Sequence, residues 1–257
     1  MISQHYFSFP LYIPRICRLF SNWPLYIFNY VSRRKRPTEY KLRNGYRLVD
    51  GTGTLAGTIA VVFVRREYGP MQQFRTIVDI GANMGSFAVY AAQLSPNVKI
   101  YCYEPEQQNF AFLKQNIAIN SLEGRVVAFQ CAVASSSGQR NLAVGESPMH
   151  SLVTVAGQTA HQMVKCTTLS DIFITHRLEM VDLLKMNCEG AEYEIFDSCS
   201  RVDFERISNI RLEYHNLDTL KRNGNSLSRF LEGQGYRIER FTRYRGKSGF
   251  IWATRNH

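Results

Sequence analysis

The sequence predicts an α/β fold: a doubly wound, mostly parallel, seven-stranded sheet with a C-terminal antiparallel hairpin and a small β insert. Three observations predict it. Apolar runs of strand length alternate with segments of helical period, the pattern of a sheet covered by helices on both faces. A glycine turn joins the first run to the first of those helices. The 257-residue chain is 45% hydrophobic and 20% charged, enough to bury one large core and unlike a disordered or repetitive chain.

Taken in order, residues 45–64 read as a strand or hairpin leading into a helix. Residues 76–80, TIVDI, are the first buried strand. Phe87, Tyr90, Ala91 and Leu94 recur at i, i+3, i+4 and i+7, the spacing of one helix face. Residues 99–103, KIYCY, are the second strand. The helix after it starts near residue 107, buries Phe110, Leu113 and Ile117, and stops at Asn120. Residues 126–133 form a third strand, 183–187 (LLKMN) a fourth and 210–214 (IRLEY) a fifth. Ile195, Phe196 and Cys199 suit a short helix; Leu227, Phe230 and Leu231 suit another, closed by Gly235. YRIERF and GFIWAT complete the sheet as a hairpin. Residues 138–168 interrupt the rhythm with polar turns and short β runs and read as the insert.

Charge is uneven. Residues 1–50 carry nine basic and two acidic side chains, residues 236–257 six and one, and the body is near neutral. Basic ends favour an anionic surface or partner, or simply a solvated exterior. The first stretch is aromatic, then basic, and is broken by Pro10, Pro14 and Pro24. It is too interrupted to span a bilayer and carries no export signal. Residues 1–42 are therefore expected to be an extension on a domain of residues 43–257. The extension either packs over that domain or lies on an anionic membrane through residues 1–36, inserting Trp23, Tyr26, Phe28 and Tyr30 beneath Arg33, Arg34, Lys35 and Arg36. The six cysteines lack metal or redox spacing, which points to a reducing, cytoplasmic setting.

The chemistry concentrates in VDIGANMGSF, residues 78–87, followed by YCYEP, residues 101–105. Gly81 and Gly85 allow a tight turn and close approach of backbone to a ligand, and the following helix directs free N–H groups into the same space. Glu104 ends the second strand 23 residues after Gly81, where a carboxylate accepts hydrogen bonds from ribose hydroxyls. The middle glycine of the dinucleotide fingerprint is missing, which disfavours a pyrophosphate and hence a nicotinamide-dependent dehydrogenase. Asp79 adds negative charge suited to an ammonium or sulfonium, and S-adenosyl-L-methionine carries both. A ligand-free strand–helix turn is the plain alternative, and Asp79 and Glu104 in register argue against it.

VDIGANMGSFAVYAA (78–92), YCYEPEQQNFAFLKQNIAIN (101–120), CAVASSSG (131–138), CTTLSDI (166–172), LLKMNCEGAEYEIF (183–196) and RLEYH (211–215) follow one another as in the FkbM-type S-adenosylmethionine-dependent methyltransferases, which this chain resembles over about residues 43–241. The resemblance implies a Rossmann-like class I methyltransferase fold and O-methylation of a hydroxyl on a sugar, glycolipid or secondary metabolite. It places Asp79, Gly81, Asn83, Gly85 and Ser86 around the methionine end of the cofactor, Glu104 on the ribose, Pro105 on the adenine side, and Ala132 and Val133 along the adenine. Asn187 would also face the cofactor; the family usually has Asp there, so a charge is lost. Ser135 and Ser136 stand where related enzymes often carry an acid.

Methyl transfer to oxygen needs a base for the hydroxyl proton. His215, at the carboxyl edge of the fifth strand and neutral at pH 7 with an ordinary pKa, is the expected base. Glu189 is the alternative, and Glu192 reads as a helix N-terminal carboxylate. His150 and Ser151 are expected on the substrate side. Strand alternation puts Lys185 and Asn187 on one face and Arg211 and Glu213 on one face, so Lys185 is expected to pair with Glu213 and support the site. His161 and His176 show no metal-binding spacing, so no metal ligand is assigned, and a divalent ion such as some sugar methyltransferases use stays open. Two other functions compete. A nucleic-acid methyltransferase would explain the basic ends, but Asn187-Cys188-Glu189-Gly190 is not the D/N-P-P-Y/F signature of base methylation. A catalytically silent nucleoside-binding module is the other.

Overall fold

Alternation along the central strands fixes the two faces of the sheet. In β3 (Thr76–Ile80), Ile77 points to one core while Val78 and Ile80 point to the other. The same split recurs in β9 (Leu183–Met186), with Leu183 opposite Leu184 and Met186, as expected for a sheet buried on both sides. In this computed structural model the described residues are 9–32, 36–144, 160–218, 220–244 and 247–256, without the side chains of Phe9, Ala143, Val144, Ala160 and His161. His150, Ser151, Arg33, Arg34, Lys35 and the His161 side chain lie outside them.

The chain enters through α1 (Phe9–Leu19) and α2 (Trp23–Ser32), then the hairpin β1 (Thr38–Lys41)–β2 (Arg47–Asp50) and α3 (Leu55–Ile59), which runs into a π-helical turn, Ala60–Val64. Next come β3, α4 (Ser86–Leu94), β4 (Lys99–Tyr103), α5 (Gln107–Ile119) and β5 (Val126–Phe129). A small sheet follows, made of β6 (Ala132–Val133), β7 (Gly138–Val144) and β8 (Ala160–Thr167). The chain then continues through α6 (Leu169–Thr175), β9, α7 (Glu192–Ser198), α8 (Arg201–Glu205), β10 (Asn209–His215), α9 (Gly224–Gly233), β11 (Tyr236–Phe241) and β12 (Ser248–Arg255). The main sheet has the order β5-β4-β3-β9-β10-β12-β11, parallel from β5 to β10, with β12 antiparallel to both neighbours. From β3 the parallel strands progress outward to β4 and β5 on one side and through β9 and β10 on the other, so the strand order reverses at β3, where such sheets bind ligands.

Two expectations need correcting. Residues 126–133 are not one strand. The ladder with β4 ends at Phe129, Cys131 turns back on the Phe129 carbonyl (3.0 Å), and Ala132–Val133 pair with Cys166–Thr167 of the small sheet. Tyr26 cannot insert into a membrane. It is fully buried, stacked on Phe20 (5.0 Å) and edge-on to Tyr40 (5.7 Å), and its hydroxyl donates to the Ala56 carbonyl. Phe20 and Phe63 lie 6.4 Å apart, and Phe20 bridges Leu42. The aromatic rings of α1 and α2 thus build a core continuous with α3, and residues 42–46 join the strands of the β1–β2 hairpin.

Candidate active site

The turn after β3 is strapped to the end of β4. The N–H groups of Gly81 and Ala82 both donate to the Tyr103 carbonyl (3.0 and 3.1 Å). Gly81 has φ +73°, and a Cβ there would lie 1.8 Å from the Asn187 carbonyl oxygen. Asn83 takes φ 51°, a conformation asparagine tolerates, and its side chain accepts from the Met84 N–H. Gly85, at φ +85°, is the position before α4; a Cβ would meet Leu113 at 2.7 Å. Gly85 therefore serves helix packing and does not line the cavity described below.

Glu104 closes the other side of the turn. It is 5% exposed; one carboxylate oxygen accepts from the Asn83 N–H (2.7 Å) and the other from the Glu106 N–H (3.0 Å). Burial raises its pKa to about 7, the two N–H donors notwithstanding. Glu106 in turn caps α5, accepting from the N–H groups of Gln108 and Asn109. A cavity of about 280 Å³ opens above these elements. Gly81, Asn83, Ser86, Glu104, Pro105, Ala132, Val133, Asn187 and Glu189 line it, as do Tyr103, Asn109 and Leu142. Its far wall is Thr54, Gly57, Thr58, Val61 and Val62 of α3 and the π-turn, with Tyr68 beside them.

Asp79 does not reach this cavity. Its side chain is fully buried under the turn and pairs with Lys185 Nζ at 2.7 Å. Parallel register sets Asp79 directly opposite Lys185, whereas Glu213 falls two residues beyond Lys185's partner on the other side, Arg211. The expected Lys185–Glu213 pair is therefore absent, and Asn187, one pleat further along, donates to Glu213 (3.2 Å) instead. Lys185 also donates to the Gly81 carbonyl (2.8 Å) and lies over the rings of Tyr68 and Phe87. The ion pair thus buttresses the turn from below. Burial pushes the Asp79 pKa up, and the lysine opposes that shift.

At the carboxyl edges of β9 and β10 the side chains meet. Glu189, in a left-handed turn at φ 53°, lies 3.3 Å from His215 Nε2. Glu192 starts α7, fully buried; its carboxylate accepts from the N–H groups of Gly190 (2.9 Å) and His215 (2.6 Å) and lies 3.3 Å from His215 Nδ1. His215 itself does not line the cavity; it backs Glu189, which does. Burial alone would lower the imidazole pKa, but Glu192, Glu189 and Glu213 overcome this and raise it to about 9. Burial raises Glu189 to about 7, which the imidazole partly offsets. The acidic neighbours of His215 thus favour its protonated form, where an ordinary pKa had suggested a neutral base.

Sequence reasoning missed Glu213, Asn109, Tyr68 and the α3 wall. Glu213 was legible as a neighbour of His215 on alternating β10, but had been assigned to Lys185. The α3 wall carries no motif at all. Among the described residues, no cluster of three metal-ligating side chains occurs. The lining suits a nucleoside bearing a positive charge, since Glu104 and Glu189 offer carboxylates to hydroxyls and to a cation. Gly81 lets the turn pass against the Asn187 backbone, and Asn187, a cavity-lining residue, keeps a buried Oδ1 without a hydrogen-bond partner.

A glycine turn opposite an acidic strand end, at the reversal point of this sheet, defines a Rossmann-like methyltransferase fold. The crystal structure of methyltransferase FkbM from Methylobacillus flagellatus KT shares it, with a TM-score of 0.50 and 12% identity over 96% of this chain and 58% of that one. Residues 79–238 match the methyltransferase FkbM domain, and the chain belongs to that family of S-adenosylmethionine-dependent enzymes. Methyltransferase sdnD of Sordaria araneosa is 30% identical over 53% of this chain and 65% of its own length. The 31-O-demethyl-FK506 methyltransferase FkbM of Streptomyces tacrolimicus is 25% identical over 55% and 66%. The chain thus spans just under two thirds of each of these relatives.

Proposed function

We infer that this protein is an S-adenosylmethionine-dependent O-methyltransferase acting on a neutral hydroxyl of a sugar, glycolipid or secondary metabolite. The observation that carries the reading is a single cavity lined by the buried Glu104 carboxylate, by Gly81 and Asn83 of the turn it is bonded to, and by Glu189. Family membership supports the methyl chemistry, and one relative's name, an O-demethyl substrate's methyltransferase, supports oxygen as the acceptor atom. When bound, the cofactor supplies an electrophilic methyl on a positively charged sulfur. The chain supplies position and proton transfer. Gly81, Asn83, Ser86 and Glu104 would hold the cofactor, with Pro105, Ala132 and Val133 along its base; Asp79 supports them through Lys185. Alignment of the two reactants contributes up to about 7–11 kcal/mol. Glu189 takes the hydroxyl proton; protonated His215 holds it in place and Glu192 holds His215. With that proton on Glu189, the acceptor oxygen would be free to take the methyl group that the bound cofactor would supply.

The test is direct. Titration calorimetry is expected to show binding of S-adenosylmethionine, and tritiated methyl groups are expected in the glycan, glycolipid or small-molecule fraction of an extract. Tight binding of reduced nicotinamide with no binding of S-adenosylmethionine would overturn the reading. Label in RNA alone would make this a nucleic-acid methyltransferase, and cofactor binding without any transfer a silent binding module.

The proposal extends to a peripheral membrane contact. Leu11, Leu25 and Val31 of the first two helices are 81%, 43% and 52% exposed, and Arg18 and Arg36 are exposed. Among the described residues no helix is long and apolar enough to cross a membrane. Co-sedimentation with phosphatidylserine vesicles at low salt, lost at high salt, is the expected result; none at low salt ends this part of the proposal.

A further inference from the structure

We propose that Asn109 recognises the adenosine group of the cofactor by donating a hydrogen bond from its side-chain amide, a role resting on the methyl-donor reading above. Asn109 is on the first turn of α5, 4% exposed, and lines the cavity beside Glu104 and Pro105. Its backbone N–H is taken by Glu106, but its buried Nδ2 has no hydrogen-bond partner. Two other asparagines of this helical segment show what a structural role looks like. Asn116, seven residues on and therefore on the same face, donates to the carbonyls of Val49 (3.0 Å) and Met84 (2.8 Å) and accepts from the Val49 N–H. Asn120 donates to Arg47 and Asn116 and accepts from the Arg47 N–H. Asn109 alone of the three keeps an unused donor, and it does so where the helix meets the cavity.

A buried amide N–H is rarely left unpaired, because it forfeits its hydrogen bonds to water for nothing. An N–H can be satisfied only by an acceptor atom. Glu104 beside it holds acceptors, each oxygen bonded to one backbone N–H with a lone pair left for a further donor. A nucleoside meets both: ribose hydroxyls donate to a carboxylate and keep lone pairs, and the purine ring presents acceptor nitrogens. Glu104 and Asn109 together thus select an adenosyl group over a purely donating or purely accepting ligand.

The experiment is calorimetric titration of S-adenosylhomocysteine into the full chain, wild type and Asn109→Ala, with thermal unfolding of both proteins without ligand. Affinity is expected to fall about tenfold, or 1.4 kcal/mol. Ligand-free Tm is expected to hold or rise, since a structural amide would lower it on removal. Asn109→Asp, of the same shape but without the donor, is expected to lose affinity similarly. The 2′-deoxy and 3-deaza analogues then locate the acceptor: the one that binds both proteins equally lacks the atom Asn109 contacts. Unchanged affinity in Asn109→Ala, or a loss accompanied by a lower ligand-free Tm, overturns the role. If the wild type binds neither S-adenosylhomocysteine nor S-adenosylmethionine, the methyl-donor reading falls and this inference with it.

Discussion

Lys185 is the cation nearest the turn, and its energetics follow from burial. Its side chain is 4% exposed and that of Asp79 is fully buried, so each charge depends on the other. Lys185→Met leaves Asp79 buried without its partner and is expected to cost about 3–5 kcal/mol in urea unfolding. Lys185→Met combined with Asp79→Leu is expected to recover most of that loss, because two well-packed apolar side chains replace a desolvated pair. A double variant no more stable than the single would show the ion pair is not the source. The acid–base group makes a second prediction. Glu189, raised to about 7, ionises as pH rises through neutrality, so methyl transfer should climb from pH 6 to 8. Glu189→Gln should lose this limb and about 10²–10⁴ of the rate. Stability runs the opposite way. His215 is raised from 6.5 to about 9, so its contribution is complete below pH 6.5 and lost as pH rises through 9. Glu189 likewise favours the folded state below its ordinary 4.5 and ceases to do so by 7. Wild type should therefore lose stability between pH 6.5 and 9 more steeply than His215→Gln. At this scale the sequence was most legible where geometry is local. The glycine turn, Asn83 and Glu104 depend on a few adjacent residues. Asp79 was not, because alternation says which face a strand residue takes but not which neighbouring strand answers it.

At the scale of elements, α3 is the wall that distinguishes the cavity from a bare cofactor site. It lies outside the family match at residues 79–238. Its start is fixed by Asp50, whose carboxylate accepts from the N–H groups of Thr52, Gly53, Thr54 and Leu55. Gly57 within it has ordinary helical φ, and a Cβ would meet nothing within 4 Å. No turn or close contact requires this glycine. Gly57→Ala is expected to raise stability by about 0.5–1 kcal/mol in thermal unfolding, without changing cofactor affinity. Gly57→Trp is expected to impair transfer while the cofactor still binds. The helices and strands of residues 76–119 were readable because their period is regular over many residues. The break of the third strand was not, since a two-residue pairing with β8 overrides a continuous apolar run only in three dimensions.

For the whole molecule, the extension is the part the sequence resolved least. An aromatic, basic stretch suits a membrane face or a packed layer equally well, and only the partner surface decides. Ile16, Phe20 and Tyr26 are fully buried. Each contributes about 1.5–3 kcal/mol, against a total stability of about 5–15 kcal/mol for a typical protein. A chain beginning at residue 37 is therefore expected to lose cooperative unfolding or precipitate; a well-folded truncation with an unchanged denaturation midpoint would show the extension to be dispensable.

Cys188 gives the cavity one more property. Its thiol lines the space, 3.7 Å from Glu192, and burial next to that carboxylate pushes its pKa well above the usual value. The thiolate, not the thiol, is the nucleophile. The acidic shell thus keeps this sulfur a thiol, and the cavity wall presents no thiolate at Cys188 to whatever binds there.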